Sequence, residues 1–246
     1  SGNLTLSSGS KVSSNNTTAR TLSNNLVFNN GGTVTIGDTT KSGALTFGTA
    51  TLNADTTTTV NSNANISQLN GNFAFTKNGS GTLTITTSQS GGTGATTINA
   101  GSLVFDKTSD NNGTFTRTGT TTINGGSLVV KGPYIGNRPG GAPPGSSTWS
   151  TPVVMSGGTI RFENGTTITD TTNGITGSGG VIEIAGTSSD NASIYYRLNN
   201  ATINNAIQRP SSETTLYSLG SWNYLGKFLN YGTGDFTTVS YTHLTL

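Results

Sequence analysis

The sequence predicts an all-β fold: a parallel β-solenoid of about ten coils with one long loop insertion. Three observations carry this expectation. A five-residue template (Gly, any residue, apolar, any residue, apolar) recurs eight times between Gly2 and Ile184. Residues 96–105 (TTINAGSLVF) and 121–130 (TTINGGSLVV) match at eight of ten letters, twenty-five residues apart. No stretch of the 246 residues sustains an amphipathic 3.6-residue period, because Gly and Thr interrupt every candidate.

The copies of the template are GNLTL at Gly2, GTVTI at Gly32, GALTF at Gly43, GTLTI at Gly81, GSLVF at Gly101, GSLVV at Gly126, GTIRF at Gly158 and GVIEI at Gly180. Successive side chains of a strand point to opposite faces. The columns Leu4, Val34, Leu45, Leu83, Leu103, Leu128, Ile160, Ile182 and Leu6, Ile36, Phe47, Ile85, Phe105, Val130, Phe162, Ile184 therefore face a core, and the residues between them face outward. The preceding Gly permits a bend that a Cβ would obstruct. The intervals are 30, 11, 38, 20, 25, 32 and 22 residues. Those near 20–30 suit one lap of a solenoid. The interval of 11 suits two faces of one coil. At about 4.8 Å per coil, ten coils make a rod on the order of 50 Å long.

Stacking the copies also predicts contacts. Arg161 aligns with Glu183 and Asp106 with Lys131, each an opposite-charge pair on adjacent strands. Asn99 aligns with Asn124, which suits an amide ladder along the rod, although turn Asn is also explained by its tolerance of left-handed backbone.

Composition narrows the function classes. Only 9% of residues are charged and the net charge is +2, with no basic run that would suit nucleic acid. There is no Cys, which removes disulfides, thiolate zinc sites and Cys nucleophiles. No apolar run approaches the length of a membrane-spanning helix. Residues 91–99 (GGTGATTIN) approximate a calcium-binding nonapeptide, but Thr96 stands at the Asp position. Residues 220–227 (GSWNYLGK) are one residue too long for a P-loop, and Phe228 follows where Ser or Thr should bind magnesium. The one His, His243, lies four residues from the end of the sequence. No catalytic, cofactor or metal site is assigned.

Two regions break the repeat. Residues 132–152 (GPYIGNRPGGAPPGSSTWSTP) hold five of the six Pro, which cannot donate to a central ladder. They are expected to leave the rod after Lys131 and rejoin it near Val153. One reading makes them a contact loop using Tyr134, Arg138 and Trp149, residue types that anchor interfaces; the other makes them a tolerated insertion. From residue 187 to 239 the coils are expected to be less regular and aromatic-rich, with those rings either in the core or exposed for sugar stacking. Residues 1–239 then form a single β-helix unit, and 240–246 are an atypical tail that resembles a translated sequencing-adapter read-through.

Residues 78–106 (NGSGTLTITTSQSGGTGATTINAGSLVFD) resemble the autotransporter-associated β-strand repeat of Gram-negative autotransporter passengers. That repeat joins a G-x-G-x-L-x-L strand, here 79–85, through a turn to a T-T-I-N-x-G-x-L strand, here within 96–105. Residues 121–130 are a weaker second copy of the latter. The turn departs from the family, which often has an aromatic where this chain has SQSGGTGA. Close resemblance covers about 55 residues, and the looser template reaches most of 1–186.

The resemblance implies a right-handed β-helix stalk on the bacterial surface, secreted through a C-terminal outer-membrane β-barrel that would lie downstream of this chain. It implies a structural and adhesive role without catalysis or cofactor, with host-surface or glycan ligands met through loops and no insertion of this segment in the membrane. The alternative is a carbohydrate-active β-helix enzyme or tailspike-like depolymerase, for which Glu163, Asp170, Glu183 and Asp190 are the densest group of acids.

Overall fold

A computed structural model describes residues 2–87, 89–90, 92–106, 114–131, 147–149, 152–163, 166–170, 175–177 and 179–185, and beyond these only short strands ending at Ser240. The described residues contain thirty-one strands and no helix. Every strand pairing is parallel, and each strand pairs with the third strand before or after it in the chain. Thirty strands thus fall into ten successive three-strand coils, and the last strand opens another. The fold is a parallel β-solenoid with three faces.

The first face begins with Leu4–Leu6, Leu26–Phe28, Ala50–Leu52 and Leu69–Asn70 and is continued by a seven-stranded sheet from Gln89–Ser90 to Thr237–Ser240. The second face is an eight-stranded sheet from Lys11–Val12 to Ile175–Gly177, and the third a ten-stranded sheet from Arg20–Thr21 to Phe228–Asn230. One core runs along the interior. It is filled by Leu26, Phe28 and Leu52 from the first face, Ile36, Phe75, Ile98 and Ile123 from the second, and Leu83, Leu103, Leu128 and Ile160 from the third. Burial alternates along the strands, as in Thr56–Val60 and Ser127–Lys131, because every second side chain points inward.

The lap of twenty-five residues is one coil: Leu103 pairs with Leu128 and Phe105 with Val130. The template, however, does not mark a single face. Leu4 lies on the first face and Val34 on the second, so only the copies from Leu45 onward share a column. The interval of 11 connects two faces of one coil, as the spacing suggested. The interval of 38 spans two coils, because Ala64 stands between Leu45 and Leu83. The outward phase also has an exception: Val104, aligned with Thr84 and Val129, is buried.

The opening Gly has a steric reason in the corner between the second and third faces. Gly101 adopts φ +62°, and a Cβ there would sit 2.5 Å from the carbonyl oxygens of both Gly79 and Gly81. Gly126 and Gly158 repeat the left-handed backbone one and two coils on.

The insertion is shorter than the sequence suggested. Ser147–Trp149 is a strand of the first face, so the chain rejoins the rod at Ser147 rather than near Val153. Its Ser and Thr can donate to a ladder, which the preceding Pro-rich residues cannot.

Candidate functional site

One corner of the coil stays short, one is long only in the first two coils, and the third varies along the rod. Between the first and second faces the connections are short throughout, for example 29–31, 53–55, 71–74, 117–120 and 150–152. Between the second and third faces they run 13–19 and 37–44 in the first two coils, then settle to 61–63, 79–81, 99–101, 124–126 and 156–158. Between the third and first faces they run 47–49 and 67–68, then 107–113, 132–146, 164–165 and 186–193. The Pro-rich insertion therefore falls at the variable corner, beside other long connections.

Polar contacts between coils hold the corner between the second and third faces where it is short. Asn99 Nδ2 donates to Asn78 Oδ1 at 2.9 Å, Asn124 Nδ2 donates to Asn99 Oδ1 at 2.9 Å, and Ser156 Oγ donates to Asn124 Oδ1 at 2.9 Å. The amide ladder predicted for Asn99 and Asn124 thus exists and is longer than predicted.

Two buried cations, which the repeat template gave no reason to expect, hold the turn carbonyls. Lys77 is fully buried, in register with Thr58 and Ile98 on the inward side of the second face. Its Nζ donates to Ala100 O at 2.9 Å and Gly79 O at 3.1 Å, with Asn78 O at 3.5 Å. Burial pushes its pKa down from 10.5 to about 8. Arg117 is buried at the corner between the first and second faces. It donates to Phe73 O at 2.8 Å, Gly94 O at 3.1 Å and Gly71 O at 3.4 Å, and its Nε donates to Thr96 Oγ1 at 3.2 Å. Burial lowers its pKa as well. Each cation bridges carbonyls of two successive coils. The signal for Lys77 was present in its phase: it stands two residues after the core residue Phe75.

Three described acids face cations, and a fourth, Asp55, accepts from the backbone N–H of Ala74. Arg161 Nη1 lies 3.2 Å from Glu183 Oε2, and Lys131 Nζ lies 3.9 Å from Asp106 Oδ2, so both aligned charge pairs form. Lys11 pairs with Asp38, whose carboxyl is held well below the usual range by that contact and by the backbone N–H groups of Lys41 and Thr40. Glu163 aligns in register with Lys131 and Ala185. Its side chain lies outside the described residues, as does Asp190, another member of the acid group picked out in the sequence. Among the described residues no group of three or more His, Asp or Glu is placed to hold a metal. Thr96, at the Asp position of the nonapeptide, is buried and serves as an acceptor for Arg117.

Of the three contact-loop candidates, Tyr134 and Arg138 lie outside the described residues. Trp149 is within a first-face strand, its backbone aligned with Phe115 and Ile168, and so is not a loop residue. Residues 220–222, 225–227 and 241–246, which include His243, are also outside the described residues. The same holds for the side chains of the aromatic-rich coils from 187 to 239, whose strands continue the stacking in register, with Tyr195 aligned to Tyr217 and Tyr217 to Val239. No protein-family profile, curated protein or solved structure matches the chain.

Proposed function

We propose that this chain is a stalk segment of a secreted bacterial surface protein of the autotransporter type, a stiff rod that presents loops for adhesion and performs no catalysis. The observation that carries the reading is the contrast between the corners. The ten strands of the third face stack in one continuous sheet, while connection length varies most along one edge. In repeat rods, insertions of unequal length collect on one edge, which is often the binding edge. Pairing Asp38, Asp106 and Glu183 with cations suits a neutral, soluble rod better than a hydrolytic cleft, which needs two carboxylates flanking one bond.

The complete gene tests the secretion route. An outer-membrane β-barrel of alternating strands is expected downstream, and a gene that closes without one would sink it. An epitope placed within 132–146 tests presentation: it should bind antibody on intact cells. Labelling only after lysis would contradict an outward loop.

A further inference from the structure

The outward side of the second face carries a second feature, on different residues and independent of the stalk reading. Strand pairing puts Thr33, Thr57, Thr76, Thr97 and Thr122 in one column, continued by Val154 and Thr176. A parallel rank two residues further along each strand holds Thr35, Thr59, Asn78, Asn99, Asn124 and Ser156. From Thr33 onward neither rank contains a charge or an aromatic ring. From Thr33 onward the face is therefore neutral.

Three further observations separate this face from a merely polar surface. First, the hydroxyls of Thr33, Thr57, Thr76, Thr97 and Thr122 form no hydrogen bond with any described residue, whereas third-face side chains bond to their neighbours, Asn65 to Thr46 and Ser102 to Ser127. Second, Val154, isosteric with Thr, stands in the same column and is one of two large apolar side chains exposed among the described residues, at 37%. The column thus presents methyl groups as well as hydroxyls. Third, the Asn ladder ties the second rank together from coil to coil and fixes its spacing. Neighbouring strands lie about 4.7–4.9 Å apart, and residues i and i+2 about 6.6 Å apart along a strand. The result is one column of unpaired hydroxyls and methyls, flanked by a rank of amides linked from coil to coil.

We propose that this face binds ice. The coil-to-coil spacing is close to the shortest oxygen repeat of hexagonal ice, so hydroxyls of the column can lie near lattice positions while methyls hold ordered water between them. Each contact is weak, but a rigid column engages many together, so the second and later contacts form at high effective concentration. A crystalline polysaccharide is the less suitable partner, because the face has no ring on which sugars stack.

The test is partition of the purified 246-residue chain into a slowly growing ice shell, with serum albumin as the non-binding control. Wild type should be enriched in the ice fraction several-fold over albumin. Thr97→Tyr, in the centre of the column, should return to the albumin level, and Thr84→Tyr, outward on the third face, should retain the enrichment. Far-UV circular dichroism checks folding, and Thr76→Lys is a second probe of the column if Thr97→Tyr unfolds. Wild-type partition no greater than that of albumin overturns the proposal. So does enrichment that survives folded column variants. Retention on microcrystalline cellulose without partition into ice overturns it in favour of a polysaccharide.

Discussion

Replacing Lys77 by Met should produce a stability deficit that grows with pH. The side chain is fully buried and its ammonium supplies donors to Gly79 O and Ala100 O, neither of which accepts a turn hydrogen bond from another backbone N–H. Losing those donors costs about 1–3 kcal/mol for each carbonyl left unsatisfied. At neutral pH the loss is offset, because Met also removes a charge that burial penalises.

The native pKa of about 8 lies below the ordinary lysine value of 10.5. Below pH 8 both folded and unfolded states carry the proton, and the penalty is present in full. Between pH 8 and 10.5 the unfolded chain binds more protons than the folded one, so wild-type stability rises with pH; above 10.5 it levels off. At 1.36 kcal/mol per unit the ceiling is about 3 kcal/mol. The carbonyls around the ammonium are half-buried, so solvent screening brings the expected rise to about 1–2 kcal/mol. Thermal unfolding of wild type and Lys77→Met in parallel from pH 7 to 10.5 reads the difference, at about 2–4 °C per kcal/mol for a chain of this size. The gap between the two melting temperatures should widen with pH. Parallel curves would refute the argument that the ammonium is desolvated.

Further substitutions test the phases and corners. Leu128→Asp buries an unpaired charge and should destabilise by several kcal/mol, whereas Thr84→Asp on the outward side should be nearly silent; equal shifts in melting temperature would reverse the inward and outward columns. Gly126→Ala, with φ +71° and a Cβ 2.5 Å from Gly101 O, should melt well below wild type, whereas Gly2→Ala, with nothing within 4 Å, should match it. Thr58 is fully buried and its Oγ1 has no partner, so Thr58→Val should stabilise by about 1 kcal/mol, and a lower melting temperature would reveal a hidden acceptor. Asn99→Ala removes two ladder bonds at an exposed corner and should cost about 1–2 kcal/mol in chemical denaturation.

The third face was legible because each of its copies announces itself twice, by a Gly the corner requires and by apolar residues at i and i+2. Aligning those copies was enough to find the Arg161–Glu183 and Asp106–Lys131 pairs and the Asn ladder. The template does not say which face a strand joins, so Leu4 and Val34 were drawn into the wrong column. Thr56–Val60 was hidden because Thr56 and Thr58, both inward, are polar. Ala64, too small to register as an apolar anchor, hid one coil. Lys77 and Arg117 escaped notice because charged side chains are expected outside, and only the phase of the strand places Lys77 within. Ser147–Trp149 resumes the ladder with no template at all.

The buried cations and the variable corner are linked by geometry. Lys77 joins carbonyls on either side of one coil boundary, and Arg117 does the same at the next corner round the coil. A residue added at either place would pull a carbonyl away from a buried donor, with the cost of an unsatisfied buried group. A residue added between the third and first faces meets only the entropy of a longer loop, about 0.6 kcal/mol per doubling of length. The coil that contains residues 132–146 tests this reasoning. There the spacing of third-face anchors stretches from 25 residues to 32, yet Leu128 still pairs with Ile160, and Phe115 with Trp149. Selection on loop length and sequence can therefore proceed at that edge while the ladder, the core and the threonine face keep their register. The adhesive stalk proposed above needs that separation between the part that varies and the part that holds.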